Sequence, residues 1–302
     1  MTAIDSIHQE RKIAILGDLI LDETWSVEVK KISPEAPIPV ASILSPTPVV
    51  TPGGAGLAAS YAKLNSIPSF LLSTFSTEGL QTLNNKNINA VCLSDLENAK
   101  KIRYIDEVSG YHLVRVETDK VVAEQKLDLE LIIDQIKNIL VKNSAAALLV
   151  LDYNKGFLTN EIICQNIVNI TKEIDIPIYI DTRGNPNKFN GAEVIKLNSK
   201  EIQSALKKSE SSNNQALKKY LNIQLLIETK GKHGASIYFN NTEIHQQAQK
   251  SNGIPDVTGC GDVFDINFCY YYYIKRLSLE SALEIAVNKA TKYAYTAIDE
   301  RL

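Results

Sequence analysis

Cysteine is sparse in this chain, with four in 302 residues. Cys92, Cys164, Cys260 and Cys269 lie scattered, without a C-x-x-C pair or metal-ligand spacing, which excludes a zinc ribbon and a disulfide framework. Unpaired, infrequent thiols fit a reducing compartment, so a cytoplasmic protein is expected. No apolar run approaches the roughly 18 residues that a membrane span needs. The opening residues, MTAIDSIHQERK, hold no apolar stretch of a secretory signal. A membrane partner is therefore not expected. A basic excess is also missing. The 32 Lys and Arg residues stand against 35 Asp and Glu, a net charge of −3, which removes the field a nucleic-acid partner would need. There is no tandem repeat and no long linker. The most polar stretch, KKSESSNNQ at 207–215, reads as a surface loop or frayed helix end.

What remains is a globular balance of 44% hydrophobic and 22% charged residues. Short apolar runs recur, each closed by a polar residue. Ile13–Leu16 leads to Gly17 and Asp18, Leu148–Leu151 to Asp152, Ile176–Ile180 to Asp181, Val194–Leu197 to Asn198, and Leu225–Ile227 to Glu228. Such runs suit parallel strands buried on both faces. Helical stretches alternate with them at Gly56–Asn65, Leu127–Asn143, Thr159–Glu173 and Asn198–Leu206. The alternation predicts one α/β domain over 1–302, built on a doubly wound, mainly parallel sheet. Ligands of such sheets bind beyond the carboxyl ends of the strands, where the five polar residues would form a rim. Asp and Asn also begin turns and cap helices. Two segments, about 23–44 and 101–117, alternate with period two and predict antiparallel strands; Pro34, Pro37 and Pro39 argue against a helix in the first. Together they predict a small β lid.

Three motifs carry chemistry. Asp256-Val257-Thr258-Gly259-Cys260-Gly261-Asp262 precedes an apolar stretch, Val263–Arg276, read as a helix. Glycines at a helix start let the backbone approach an anion, and the free N–H groups and helix dipole favour phosphate. Asp262 in the first turn would accept a hydroxyl proton there. The bland reading makes Asp262 a helix cap and the glycines a turn. Pro52-Gly53-Gly54-Ala55-Gly56 runs into a second helix, and the close backbone approach it permits suits either a ligand or tight packing. Asn198-Ser199-Lys200-Glu201 places two oxygen-bearing side chains three apart, an arrangement that suits hydrated Mg²⁺ and equally suits an ordinary helix start.

In combination these motifs resemble the ribokinase-like (PfkB-type) carbohydrate kinases. Within them the chain most resembles the D-glycero-D-manno-heptose 7-phosphate kinases, including the kinase half of the bifunctional heptose kinase/adenylyltransferase. The resemblance rests on GDLILDETW at 17–25, ISPEAPIPV at 32–40, PGGA at 52–55, DYNKG at 152–156, DTRG at 181–184 and the heptad ending at Asp262, and it spans nearly the whole chain. It implies ATP and Mg²⁺ as cofactors, a sugar or sugar-phosphate substrate and a homodimer paired through the lid. An adenylyltransferase half is expected to be absent. It further implies Asp262 as catalytic base and Gly259, Cys260 and Gly261 as the anion hole. Asn198 and Glu201 would be the Mg²⁺-linked pair, acting through water. Thr229, Lys230, Gly231 and Asn288 would contact ATP. Asp18, Asp22, Gly53 and Gly54 would hold the sugar, with Lys31, Arg103 and Arg115 meeting a substrate phosphate; solvated surface charge is the other reading of those three.

The chain departs from the family pattern in places. Leu57 stands where an Asn usually contacts the sugar, Cys260 replaces the commoner Ala, and Asp265 takes a position usually small and near the nucleotide. The acidic-glycine element usual after Thr74 is not evident. Leu57 is expected either to face the sugar pocket or to pack into the core. Two other functions stay open on these residues: a kinase for another sugar or nucleoside, and a catalytically weak sugar-binding or regulatory protein.

Overall fold

The structure, a computed structural model, describes residues 10–118, 128–249 and 253–296. Two sheets organise it. The larger has nine strands: β1 (Lys12–Gly17), β5 (Ser69–Ser73), β6 (Ala90–Cys92), β9 (Ala145–Asp152), β10 (Ile178–Thr182), β11 (Val194–Asn198), β12 (Leu225–Thr229), β13 (Ala235–Phe239) and β14 (Thr242–Gln246). Their order is β14-β13-β12-β11-β10-β9-β1-β5-β6. All pairings from β12 to β6 are parallel, and β13 and β14 add an antiparallel edge.

The central strands are buried on both faces, and alternate residues feed two cores. Ile13 and Ile15 of β1, with Leu149 and Leu151 of β9, join the core beneath α1 (Ala55–Leu64), α2 (Thr77–Asn85), α7 (Cys260–Cys269) and α8 (Leu279–Ala294). Ala14, Leu16, Leu148 and Val150 point the other way, toward α3 (Leu129–Lys142), α4 (Glu161–Glu173), α5 (Ser199–Ser209) and α6 (Asn214–Tyr220). This is the period-two geometry of strands, which lets one run of apolar residues serve two helical layers. Helix starts are capped as the sequence suggests. Asp128 accepts from the Leu131 N–H, Asn160 from Ile162 and Ile163, and Asn198 closes a full capping box with Glu201.

The second sheet runs β3 (Pro39–Ile43), β2 (Leu19–Ile32), β7 (Ala99–Asp106), β8 (His112–Glu117), with β4 (Val49–Gly54) pairing the first half of β2. It contains the two segments read as a lid. One feature differs from the expectation: β2 and β7 pair in parallel, Asp22 opposite Lys101 and Trp25 opposite Tyr104, while β3, β4 and β8 pair antiparallel. The chain returns to the lid through β5, α2 and β6, so the second lid strand starts at the same end as the first. The expected helix over Val263–Arg276 also differs. It begins at Cys260, and after Cys269 it widens into a π-helical turn over Tyr270–Ile274, where four successive tyrosines crowd one another.

Candidate active site

The rim residues gather as the strand order requires. β12, β11, β10, β9 and β1 are consecutive neighbours in parallel register, so Glu228, Asn198, Asp181, Asp152 and Asp18 lie along one sheet edge. They do different things. Asp152 is tied up structurally, taking Lys188 at 2.8 Å and the Thr182 hydroxyl at 2.5 Å. Glu228 is held by Ser199, Asn214 and Tyr238 at 2.8, 3.1 and 3.0 Å. Asp18 is different. One oxygen accepts the Tyr153 and Lys155 N–H groups at 3.2 and 3.1 Å, whereas the other, Oδ1, is buried without a partner among the described residues. Burial, reinforced by the charge of Asp152, pushes its pKa from 3.8 up to about 7. A buried carboxylate oxygen with an open valence is suited to a ligand hydroxyl.

Asp262 stands over this edge. The loop before it is pinned by Asp256, whose N–H donates to the Ala294 carbonyl at 3.0 Å and whose carboxylate receives the Thr258 N–H at 2.9 Å. Gly259 then turns the chain at a φ of 78°, and α7 starts. The Cys260 N–H, one of the expected anion-hole groups, donates instead to the Val257 carbonyl at 3.2 Å, and the Val263 N–H donates to Gly259 at 3.0 Å; the Gly261 and Asp262 amides are the first-turn donors left for an anion. Asp262 is 3% exposed and accepts a hydrogen bond from the Tyr153 hydroxyl. Burial raises its pKa to about 6; the Tyr153 bond, Arg183 and Lys196 pull it down, and Asp181 pushes it up. At neutral pH it is an ionised base close to its titration point, the condition that suits proton transfer.

Asp22, the second expected sugar residue, pairs with Arg103 at 2.5 Å. Its Oδ2 lies so near Gly53 that any side chain there would collide, and Gly54 turns at a φ of 58° against the Asp18 carbonyl. Asp18, Asp22, Gly53 and Gly54 thus form one patch at the base of the lid. Of the three cations assigned to a substrate phosphate, Arg103 is engaged by Asp22 and Arg115 by Glu117 at 2.8 Å. Lys31 sits exposed nine residues up β2 from Asp22, roughly 30 Å along a strand. Arg103 and Arg115 face each other across β7 and β8, whereas Lys31 lies apart from them.

On the nucleotide side, Asn198 and Glu201 are both used by the cap. Asn198 Oδ1 accepts from the Lys200 and Glu201 N–H groups at 2.9 and 3.0 Å, and Glu201 Oε2 accepts from Asn198 at 2.7 Å. The other oxygen of Glu201 takes no part in the cap. Among the described residues no cluster of three or more His, Cys, Asp or Glu could hold a metal by itself. Lys230 reaches Ser236 at 2.6 Å and Glu243 at 3.3 Å, while nothing lies within 4 Å of the position a Gly231 side chain would take. Asn288, on α8 where that helix covers β13 and β14, has a buried Oδ1 without a partner among the described residues.

Two departures find physical places. Leu57 lies against the anion loop: its methyl carbons come within 2.9 and 3.1 Å of the position a Gly259 Cβ would occupy. It is half-buried and packs against that loop. Asp265 is fully buried beneath α7, accepting Tyr179 at 2.8 Å and Lys196 at 3.2 Å. Lys196 also pairs with Asp181 at 2.7 Å. Burial holds Asp265 well above the usual carboxylate range against the pull of Lys196, and Asp181, despite its own burial, is kept low by Lys196. Asp265 is thus part of a charge cluster that ties α7 to β10 and β11.

Tyr153, Arg183, Lys101 and Lys196 had no role in the sequence reading. Tyr153 and Arg183 directly follow or closely follow rim aspartates, which was the available signal. Their convergence on Asp262 is tertiary: the Tyr153 ring carries Arg183 at 4.6 Å and Lys101 at 5.4 Å from its centroid.

Comparison with known proteins bears on the family and the fold. The profile of the pfkB family carbohydrate kinases matches residues 12–293. The Bifunctional protein HldE of Vibrio cholerae serotype O1 is 27% identical over 264 residues, covering 83% of this chain and 53% of that protein. Its counterpart in a Nitratiruptor species is 30% identical over 273 residues, covering 83% and 54%. The chain therefore spans about half the length of these relatives. Among solved structures, Phosphofructokinase-2 from Escherichia coli in complex with potassium superposes with a TM-score of 0.72 at 16% identity, over 95% of this chain and 93% of that one. A ribokinase from Thermotoga maritima gives 0.71 at 18% identity, over 95% and 93%. These likenesses are of fold.

Proposed function

Because the chain belongs to the pfkB family of carbohydrate kinases and is an ATP-dependent sugar kinase, we propose that its acceptor is a phosphorylated sugar of the D-glycero-D-manno-heptose 7-phosphate type, giving the 1,7-bisphosphate. The observation that carries the reading is Asp262: a buried carboxylate near its titration point, in the first turn of a helix that begins at a glycine turn. The acceptor hydroxyl donates its proton to Asp262 as its oxygen attacks the γ-phosphorus, and the bond to ADP breaks. The first-turn amides of α7 receive charge on the transferred oxygens. Asp18 Oδ1 and the Gly53–Gly54 backbone orient the sugar. Thr229, Lys230, Gly231 and Asn288 line the nucleotide side. Mg²⁺ would be held through water by Glu201 with Asn198, neutralising phosphate charge.

The lid carries exposed apolar residues, among them Ile32, Ile43, Val49 and Val114, and we read a second copy as their cover, in a lid-to-lid homodimer. A cytoplasmic setting follows from the use of ATP and from sparse thiols, none of them in a disulfide among the described residues. Among those residues no helix is long and apolar enough to cross a membrane. The test is an ADP-release screen over free and phosphorylated heptoses, hexoses, pentoses and nucleosides. Fastest turnover on heptose 7-phosphate is expected; a higher kcat/KM on an unphosphorylated acceptor would remove the heptose reading.

A further inference from the structure

The cations around Asp262 fall into two groups. Arg103, Lys155, Lys188 and Lys196 each have a carboxylate oxygen within 2.5–2.8 Å. Among the described residues Lys101 and Arg183 have no carboxylate within ion-pair distance and lie over the face of Tyr153, although the charges of Asp22 and Glu117 act on Lys101 and those of Asp181, Asp262 and Glu201 on Arg183. The two charges can be at most about 10 Å apart, since both lie over one ring. Lys101 also stands directly across from Asp22 on the neighbouring strand, at the sugar patch, and Tyr153 itself touches both Asp18 and Asp262.

We propose that Lys101 and Arg183, and not the lid cations Lys31, Arg103 and Arg115, receive the phosphate already carried by the acceptor sugar and so select phosphorylated over free sugars. Neither cation is committed to one carboxylate at ion-pair distance among the described residues, so each can donate to a phosphate oxygen without giving up a direct ion pair. Burial and the charges of Lys155 and Arg183 hold Lys101 below the usual lysine range, against the pull of Asp22. Tyr153 is the platform: its ring supports both cations while its hydroxyl is turned to Asp262, so the acceptor's phosphate and its reacting hydroxyl are read from opposite parts of one side chain. The inference rests on the kinase reading above and adds the determinant of its substrate class.

The test compares Lys101→Met, Arg183→Met and Lys101→Arg with wild type, using kcat/KM on heptose 7-phosphate or a hexose 6-phosphate and on the matching free sugar. Isothermal titration of each sugar, without ATP, runs alongside. Each Met variant should lower the ratio of phosphorylated to free acceptor by about ten- to hundredfold, as expected for lost charged hydrogen bonds. Lys101→Arg should restore most of it. Equal losses on both acceptors, with KM unchanged, would mean that these cations act on the phosphoryl group arriving from ATP and would overturn the proposal. So would a ratio unmoved in either variant, or a wild type that binds free and phosphorylated sugars alike. If wild type turns over no sugar at all, the function reading fails, and the titration still decides the anion site.

Discussion

Asp18→Asn separates what the fold wants from what the site needs. The Asp18 carboxyl is 3% exposed, and its pKa moves from an ordinary 3.8 to about 7. A carboxyl raised on folding binds its proton more tightly in the native state, so native stability is greatest below 3.8 and falls as pH rises toward 7. At about 1.4 kcal/mol per unit, the ionised group costs the fold about 4 kcal/mol at pH 8 and under about 2 kcal/mol at pH 5. Asparagine removes this titration. Its carbonyl can keep the Tyr153 and Lys155 N–H bonds that Oδ2 receives. Its amide takes the place of Oδ1, which has no partner among the described residues, and a buried unsatisfied amide costs about 1–3 kcal/mol. The variant should therefore be about 1–3 kcal/mol more stable than wild type at pH 8 and within about 1 kcal/mol of it at pH 5. Sugar affinity should meanwhile fall about ten- to hundredfold, because a charged acceptor is lost. Urea denaturation followed by circular dichroism at both pH values checks the first part, and sugar titration the second. A stability difference that is the same at pH 5 and pH 8 would refute the buried-charge argument.

Asp262→Asn should abolish phosphoryl transfer while ATP still binds, measured by ADP release and nucleotide titration; in wild type, kcat/KM should rise with pH through about 6 as Asp262 loses its proton. Glu201→Gln keeps the amide-accepting oxygen of the capping box and removes only charge, so the Mg²⁺ concentration for half-maximal rate should rise with little change in melting temperature. Leu57→Ala should lower kcat more than it raises sugar KM, because the buttress of Gly259 is lost, and Leu57→Asn should bring no gain on heptose 7-phosphate; a gain would put Leu57 back in the sugar pocket. Light scattering at micromolar concentration should give twice the chain mass, and a monomer would leave the lid's apolar residues without a cover.

What could be read in advance was what repeats along the chain. The runs around Ile13, Leu148, Val194 and Leu225 are long enough in β-branched and leucine residues to declare strands, and the aspartates after them mark their ends. β6 has three residues, and β5 is a five-residue SFLLS that a helix could equally contain, so neither announced itself. Period two signals a strand but not its direction, which is why the parallel pairing of β2 with β7 was missed. Lys196 was hidden by its neighbours: a lysine inside VIKL reads as a solvated interruption, yet it is 4% exposed between two carboxylates. Asp265 could not be understood without it, since its partner lies 69 residues away. The catalytic heptad was legible because its chemistry is local, a turn and a helix start. The anion clamp was not, because Lys101 and Arg183 come from different sheets and meet only over Tyr153.

Tyr153 shows why the site works as a unit. Its N–H fixes one oxygen of Asp18 and leaves the other open, and its hydroxyl occupies Asp262 Oδ1 and leaves Oδ2 for the acceptor. Burial drives its own pKa well above 10, with the charge of Asp262 adding to the effect, so it remains a donor at every working pH. That donation opposes the burial of Asp262, which settles near 6 and is ionised at neutral pH without losing all its basicity. A base held lower would take the proton less readily, and one held higher would begin protonated. The same residue thus holds Asp18 through its backbone, trims the base through its hydroxyl and supports through its ring the cations that would read the substrate's charge. These three tasks are coupled because β9 ends there, one residue past Asp152, at the point where the lid, the sheet and α7 converge.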